Sequence, residues 1–266
     1  MILKPIAEIR DPVHGYVKIT EVERDLIDSP FIQRLRRIHQ LAGAYLVYPG
    51  AVHSRFEHVI GTMNVAGMIA ESLSKRIGID NDEIQEVRLA ALLHDAGHGP
   101  FSHMYEEVLT EKTDITHEDI SQRVILETSI KDILEKYGFS PKKMSEFCVG
   151  KQTAKPPYMN EIIAGGHSAD IMDYLLRDSY FTGVEYGRVD IYRVKIRDVQ
   201  GRLLSQDGKG RGVDARPLHD ARRRSPPPDR PLRDERLPGV DRRDSASEAS
   251  QSRRRHHEPA RGKAVG

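Results

Sequence analysis

The sequence predicts an all-α globule with a small N-terminal β-hairpin and a basic C-terminal tail. Three observations predict it. Apolar residues recur every three or four positions through much of residues 31–180, one short stretch near the N-terminus alternates instead, and the composition changes sharply after Ile196.

Residues 5–20 (PIAEIRDPVHGYVKIT) alternate apolar and polar side chains around Asp11-Pro12 and His14-Gly15, the pattern of a hairpin and its turn. Asp28-Ser29-Pro30 then offers a helix start with proline in the first turn, leading into a helix over 31–40 with Ile32, Leu35 and Ile38 on one face. Ser54 is placed to cap the next helix, where Phe56, Val59, Ile60, Met63, Ala66, Ala70 and Leu73 keep helical spacing up to a stop at Gly78. A third helix over 82–96 turns Ile84, Val87, Ala91 and Leu92 inward and is ended by Gly97, Gly99 and Pro100. Further helices are expected over 117–137, 141–149 and 166–180. No internal repeat stands out, so helices packed on helices around one core are the expected architecture.

The net charge of +1 hides two unlike parts. Up to Ile196 there are 23 Lys+Arg against 29 Asp+Glu, a balance of −6; residues 197–266 hold 18 against 11, a balance of +7. From Arg197 onward there is no aromatic residue and no isoleucine, and arginine outnumbers lysine 16 to 2. Segments such as RRRSPPPDRP (222–231) cannot bury enough apolar surface to offset chain entropy. The expected organisation is therefore a folded core over 1–196 and a disordered, low-complexity Arg/Pro/Asp-rich tail over 197–266. The abrupt switch in basic residues is also what out-of-frame translation of a GC-rich gene produces, and an intact coding frame would exclude that origin. Arginines of such a tail can bind nucleic acid by releasing counterions, but the interleaved aspartates weaken the field, so nucleic acid is the weaker partner reading.

Apolar runs such as 89–93 are too short to cross a bilayer, and the N-terminus carries no basic segment followed by an apolar run and a cleavage site. A single cysteine, Cys148, can make no internal disulfide and no zinc ribbon, which fits a reducing cytoplasm. No membrane association is expected.

Five of the nine histidines that precede residue 197 fall within 60 residues: His58, His94, His98, His103 and His117. A lone histidine is most often a hydrogen-bonded core or surface residue, but His94-Asp95 directly follows the apolar Leu89, Leu92 and Leu93 and precedes a glycine break. A carboxylate there needs a cation or strong donors, because desolvating it unpaired costs several kcal/mol. A metal ion held by both side chains answers that need, with His58 approaching from the preceding helix beside the small residues Gly61 and Thr62. A fourth ligand is offered by SADIMDYLLRD (168–178), where Asp170, Tyr174 and Asp178 share one helix face at i, i+4 and i+8. Two imidazoles and two carboxylates suit Mn2+, Fe2+ or Zn2+ ahead of Mg2+ or Ni2+.

These residues resemble a known family, the HD-domain phosphohydrolases, with His58, His94-Asp95 and Asp170 matching its H…HD…D signature. HSRFEHVIG (53–61), LLHDAGHGPFSHMYEE (92–107) and DIMDYLLRDSYFTG (170–183) together are similar to its deoxynucleoside-triphosphate triphosphohydrolase branch. The resemblance runs from about Ile9 to Val194. It implies one divalent metal on His58, His94, Asp95 and Asp170, with a further Mg2+ accompanying the nucleotide. It also implies catalytic roles for His117, in THED, with His98 and His103 lining the same pocket and Glu118 near the proton-transfer network. The products would be a deoxynucleoside and inorganic triphosphate.

By the same resemblance, Gln40 and Leu41 (HQLAG) would pack against the sugar, Arg55 would reach a phosphate, Tyr174 would lie beside the sugar and Asp178 would accept from its 3′-hydroxyl. A surface ion pair is the plainer reading of Arg55 and Asp178. Asp28, Gln33 and Arg36 resemble an effector site for GTP or a dNTP between subunits, which implies a homodimer or homotetramer; a helix cap and a solvated face are the plainer readings of Asp28 and Arg36. After Val194 the family continues with helices bearing a tyrosine- and lysine-containing segment that grips the triphosphate. Here no tyrosine follows Tyr192, and only Lys209 and Lys263 remain, a departure that bears on substrate affinity and turnover rather than on the metal ligands. The alternatives are a nucleotidase or phosphodiesterase of the same superfamily, and a non-catalytic nucleotide sensor or nucleic-acid binder.

Overall fold

A computed structural model describes residues 3–151, 156–187 and 191 of the chain. Strands β1 (Ala7–Asp11) and β2 (Gly15–Ile19) pair antiparallel, with Ile9 opposite Val17 and Asp11 opposite Gly15. The turn between them is closed by the Asp11 carboxylate, whose Oδ1 accepts from the amides of Val13 and His14, both at 2.8 Å. Gly15 takes a positive φ of 78°, open to a glycine without strain.

Ten helices follow among the described residues: α1 (Glu21–Ile27), α2 (Pro30–Gln33), α3 (Arg55–Ile77), α4 (Asn81–Leu93), α5 (His103–Thr113), α6 (His117–Glu127), α7 (Ser129–Lys136), α8 (Pro141–Phe147), α9 (Pro157–Ala164) and α10 (Ala169–Thr182). The all-α class with its small hairpin is thus observed. Helix α3 is the spine, packed along α4 on one side and α10 on another. Its start is fixed by a capping box in which Ser54 and Glu57 satisfy each other's backbone N–H groups, and its end by Gly78 in the left-handed region. Val59, Ile60, Met63, Ala66 and Ala70 line its buried face, as the spacing predicts.

Several expected boundaries move, each for a local reason. The helix expected over 31–40 stops at Gln33 and tightens into a 3-10 turn over Arg34–Arg37. The helix expected over 82–96 ends at Leu93, because Ala96 and His98 turn back to bond the carbonyls of Leu93 and Asp95. The single helix expected over 117–137 is two, since Thr128 adopts an extended conformation and its side chain caps α7 at the amide of Ile130. The helix expected over 141–149 closes at Phe147, and that expected over 166–180 begins at Ala169, behind its Ser168 cap, and runs to Thr182. Helices α1, α5 and α9 are additions. Helix α1 carries a Thr20/Glu23 capping box, a signal present in the sequence but hidden among charged residues. The expected tail over 197–266 lies outside the described residues. No described helix is long and apolar enough to cross a membrane.

One buried ion pair binds these layers together. Glu23 of α1 is fully buried and accepts from Arg88 Nε at 2.6 Å, Arg88 Nη2 at 2.9 Å and Gln85 Nε2 at 2.7 Å, while Arg88 also donates to the Lys18 carbonyl of β2. Gly67 of α3 makes room for it, since a Cβ there would stand 2.6 Å from Arg88 Nη1. Replacing Arg88 by leucine leaves the Glu23 carboxylate desolvated with two neutral donors, Gln85 Nε2 and the Thr20 amide, and no cation. The expected loss is about 3–5 kcal/mol of stability, measured as a lowered denaturant midpoint with an unchanged m-value.

Candidate metal centre

The C-terminal end of α4, the first turns of α3 and the first turn of α10 converge on one cluster. His58 points from α3, Asp170 from α10, and His94 and Asp95 from the turn that follows α4. His58 Nε2 stands 3.0 Å from Asp170 Oδ1 and 3.8 Å from Asp95 Oδ2. His94 Nε2 stands 3.3 Å from Asp95 Oδ1 and 3.7 Å from Asp170 Oδ1. The four residues that the sequence singled out as ligands are therefore brought together.

The donor set fits a divalent ion. Donors around one ion at ~2.1 Å stand ~3.0–3.5 Å apart in tetrahedral or octahedral arrangements. Ligand atoms of His58, His94 and Asp95 lie within 4.8 Å of one another. His58 Nε2 and His94 Nε2 are buried and form no well-aligned hydrogen bond among the described residues, so both nitrogens lack a partner of the right geometry. Their other nitrogens are spoken for: His94 Nδ1 lies 2.7 Å from the Ala91 carbonyl and His58 Nδ1 lies 2.8 Å from Asp173 Oδ2. Both acceptors force Nδ1 to be the protonated nitrogen, which leaves Nε2 as the ligand atom. Asp170 keeps 35% of its side chain exposed while His58 keeps 1%, so the cluster opens to solvent on the α10 side.

Electrostatics around the cluster are steep. Burial pulls the His58 imidazole down, but Asp170 and Asp173 more than reverse this and lift it to about 10. Burial would raise the Asp95 carboxyl, yet Arg55, His94 and His98 hold it well below the usual carboxylate range. Two imidazoles crowded by carboxylates are what a cation would relieve, its positive charge standing in for their protons.

Around this core the other predicted residues divide. Arg55 is buried rather than a surface pair: its guanidinium bonds Asp95, and its Nε donates to Ser102 Oγ at 2.9 Å. Ser102 holds a strained backbone (φ 53°, ψ −119°) that aims its hydroxyl at Arg55. His98 Nε2 lies 3.3 Å from Asp95 Oδ1, and its ring stacks on His117 with centroids 4.1 Å apart. Burial, reinforced by Arg55 and His117 and opposed by Asp95, lowers His98 to about 4, so it is neutral near pH 7. Asp95, His98 and His117 form a second group of convergent donors. Glu118 points instead to Lys151 at 2.8 Å on the surface, and the carboxylate on His117 Nδ1 is Glu106 at 2.5 Å. Glu106 escaped notice because α5 was not anticipated. His103 begins α5, and its side chain lies outside the described residues.

Tyr174 is half-buried on α10, its hydroxyl pushed up to about 12 by burial and then by Asp170 and Asp178. Asp178 is buried against His53 Nε2 at 2.8 Å, a histidine the sequence did not single out, whose ring stacks on Phe181. Gln40 and Leu41 follow His39, which bridges Ser54 at the start of α3, and the Gln40 Oε1 is buried and unpartnered among the described residues. Asp28 is the exposed C-cap of α1, while Gln33 bonds both the Ile27 carbonyl and Arg36, whose guanidinium lies over the Phe56 ring.

Comparison with known proteins decides the family. The HD domain model matches residues 55–178, the span that carries His58, His94, Asp95 and Asp170. These residues belong to the HD-domain family. The chain is 41% identical to the uncharacterized protein YwfO of Bacillus subtilis over 190 residues, covering 70% of this chain and 42% of the relative. It is 32% identical to the human deoxynucleoside triphosphate triphosphohydrolase SAMHD1 over 211 residues, covering 66% of this chain and 33% of that protein. A crystal structure of a hypothetical protein from Aquifex aeolicus superposes with a TM-score of 0.64 at 38% identity, covering 76% of this chain and 54% of the other. The chain thus spans about half or less of these relatives, from 33% to 54% of their length.

Helix α3 places Gly61 one turn beyond His58, and a Cβ there would stand 1.9 Å from Asp173 Oδ1 and 2.3 Å from Arg177 Nη2. Gly61→Ala must therefore displace the carboxylate that orients His58. The expected outcome is a loss of about 1–3 kcal/mol in denaturant unfolding, with weaker metal uptake by calorimetry.

Proposed function

We propose that this chain is a metal-dependent HD phosphohydrolase that converts dNTPs to deoxynucleosides and inorganic triphosphate. The observation that carries the reading is the convergence of His58, His94, Asp95 and Asp170 at 3.0–3.8 Å, with two imidazole nitrogens left for a metal and one open side for substrate. The similarity to SAMHD1, named as a deoxynucleoside triphosphate triphosphohydrolase, supports the nucleotide class.

A divalent ion held there, Mn2+, Fe2+ or Zn2+ ahead of Mg2+ or Ni2+, would supply Lewis acidity that activates water and neutralises phosphoryl charge, with a further Mg2+ accompanying the nucleotide. The chain's own groups do the rest. Glu106 on His117 Nδ1 fixes the ring, which would position His117 to donate a proton to the leaving oxygen. His98, neutral and stacked on His117, lines the same region, to which the family resemblance would add His103. Arg55, whose guanidinium pairs with Asp95 at the cluster edge, would meet a phosphate oxygen there. Asp178, held by His53, would accept from the 3′-hydroxyl, with Tyr174 beside the sugar and Gln40 and Leu41 closing against its 2′ side. Asp28, Gln33 and Arg36 would bind a GTP or dNTP effector between subunits of a homodimer or homotetramer, in a cytoplasmic protein.

Incubation of the purified chain with each dNTP and Mn2+ or Mg2+, with and without GTP, tests the reading by resolving its products. Deoxynucleoside and triphosphate are expected, with His117→Ala lowering kcat by about 10²- to 10⁴-fold. Release of single phosphates would assign a nucleotidase instead, and nucleotide binding without turnover would assign a sensor.

A further inference from the structure

Behind the metal centre lies a second set of buried charged groups. Asp173 of α10 is fully buried and surrounded by donors: Oδ2 faces His58 Nδ1 at 2.8 Å and Arg177 Nε at 2.9 Å, and Oδ1 faces His14 Nε2 at 2.5 Å and Arg177 Nη2 at 2.9 Å. Arg177 is itself held by Asp11 Oδ2 at 2.8 Å. Asp11 and His14 both belong to the hairpin turn, at the other end of the sequence from α10.

We infer that His14 is a positioning residue for the metal centre, acting through Asp173 to fix the tautomer and ring orientation of His58. The inference rests on the reading of His58 as a metal ligand. A carboxylate offers about four lone-pair directions, and four donors fill those of Asp173. Remove His14 and Oδ1 keeps only Arg177, so the carboxylate is free to turn toward the guanidinium and away from His58. Water has no easy way to replace it, because the side chains of His14, Asp173 and Arg177 are 0–1% exposed.

The charge balance points the same way. His14 Nδ1 is buried without a hydrogen-bond partner among the described residues, so Asp173 is the group that holds the ring, through Nε2. Asp11 and Asp173 against Arg177 leave one net negative charge behind His58, the side from which it strengthens imidazole binding to a cation. The Glu23 site, filled by an arginine, a glutamine and the Thr20 amide, shows that burial of a carboxylate in this fold does not by itself require a histidine.

Binding of Mn2+ alone to the metal-free full-length chain, followed by electron paramagnetic resonance of the free ion, tests this. His14→Ala is expected to weaken binding about 10-fold and Asp173→Asn about 10- to 100-fold, the range for groups that orient metal ligands. His14→Gln, which returns a neutral donor of similar reach, is expected to recover most of the loss. In the Asp173→Asn background His14→Ala should add less than about twofold, since it acts through that carboxylate. Should His14→Ala fail to fold, His14→Asn, whose amide stops short of Asp173, takes its place. Wild-type Mn2+ affinity in a folded His14→Ala variant, or full additivity with Asp173→Asn, would overturn the inference and leave the metal reading intact. Failure of the wild-type chain to bind Mn2+ would overturn both.

Discussion

The fold is organised around the cost of burying carboxylates. Asp173, Asp95 and Glu23 sit in or beside a core of aliphatic side chains, where an unpaired charge would cost several kcal/mol, and each is matched by cations or imidazoles from other elements. Those matches dictate which helices meet. Arg88 on Glu23 joins α1, α4 and the hairpin; Arg177 on Asp11 and His14 on Asp173 join α10 to the hairpin turn; His58 on Asp173 joins α3 to α10. Gly61 and Gly67 are the spaces α3 leaves for these side chains.

The metal centre is the point where this compensation is left incomplete. His58 and His94 each commit Nδ1 to an acceptor and turn Nε2 toward Asp95 and Asp170, an arrangement that gathers two lone pairs and two anionic groups at one place. A divalent ion would complete it. The surrounding groups are graded: His98 is kept neutral by burial, His117 carries Glu106, and Arg55 rests on Asp95 at the edge. On the proposed reading, separate groups would hold charge, move a proton and meet an anion.

The clustering of His58, His94, Asp95 and Asp170 was legible in the sequence, because these residues lie on or directly after strongly periodic helices with clear caps. Ser54 with Glu57 and Asp80 with Glu83 write their helix starts in the local sequence, and His94-Asp95 stands out as a polar pair at the end of an apolar run. What escaped was carried by long-range geometry. His14 and Asp173 are 159 residues apart, His53 and Asp178 are 125 apart, and nothing local marks either pair. Glu106 and Glu118 differ by which one faces His117, a choice set by the break after Pro100 and the strained turn at Phe101 and Ser102 that starts α5. Thr128 reads as helical by its neighbours' periodicity, and its own side chain ends the helix instead.

On the proposed reading, His58, His94, Asp95 and Asp170 hold one divalent ion. Anomalous scattering from a crystal of the chain grown with Mn2+ tests this most directly. One peak is expected at ~2.0–2.3 Å from His58 Nε2, His94 Nε2 and a carboxylate oxygen of each aspartate. A peak among Asp95, His98 and His117 with none on His58 would contradict it, as would an ion bound only at the protein surface.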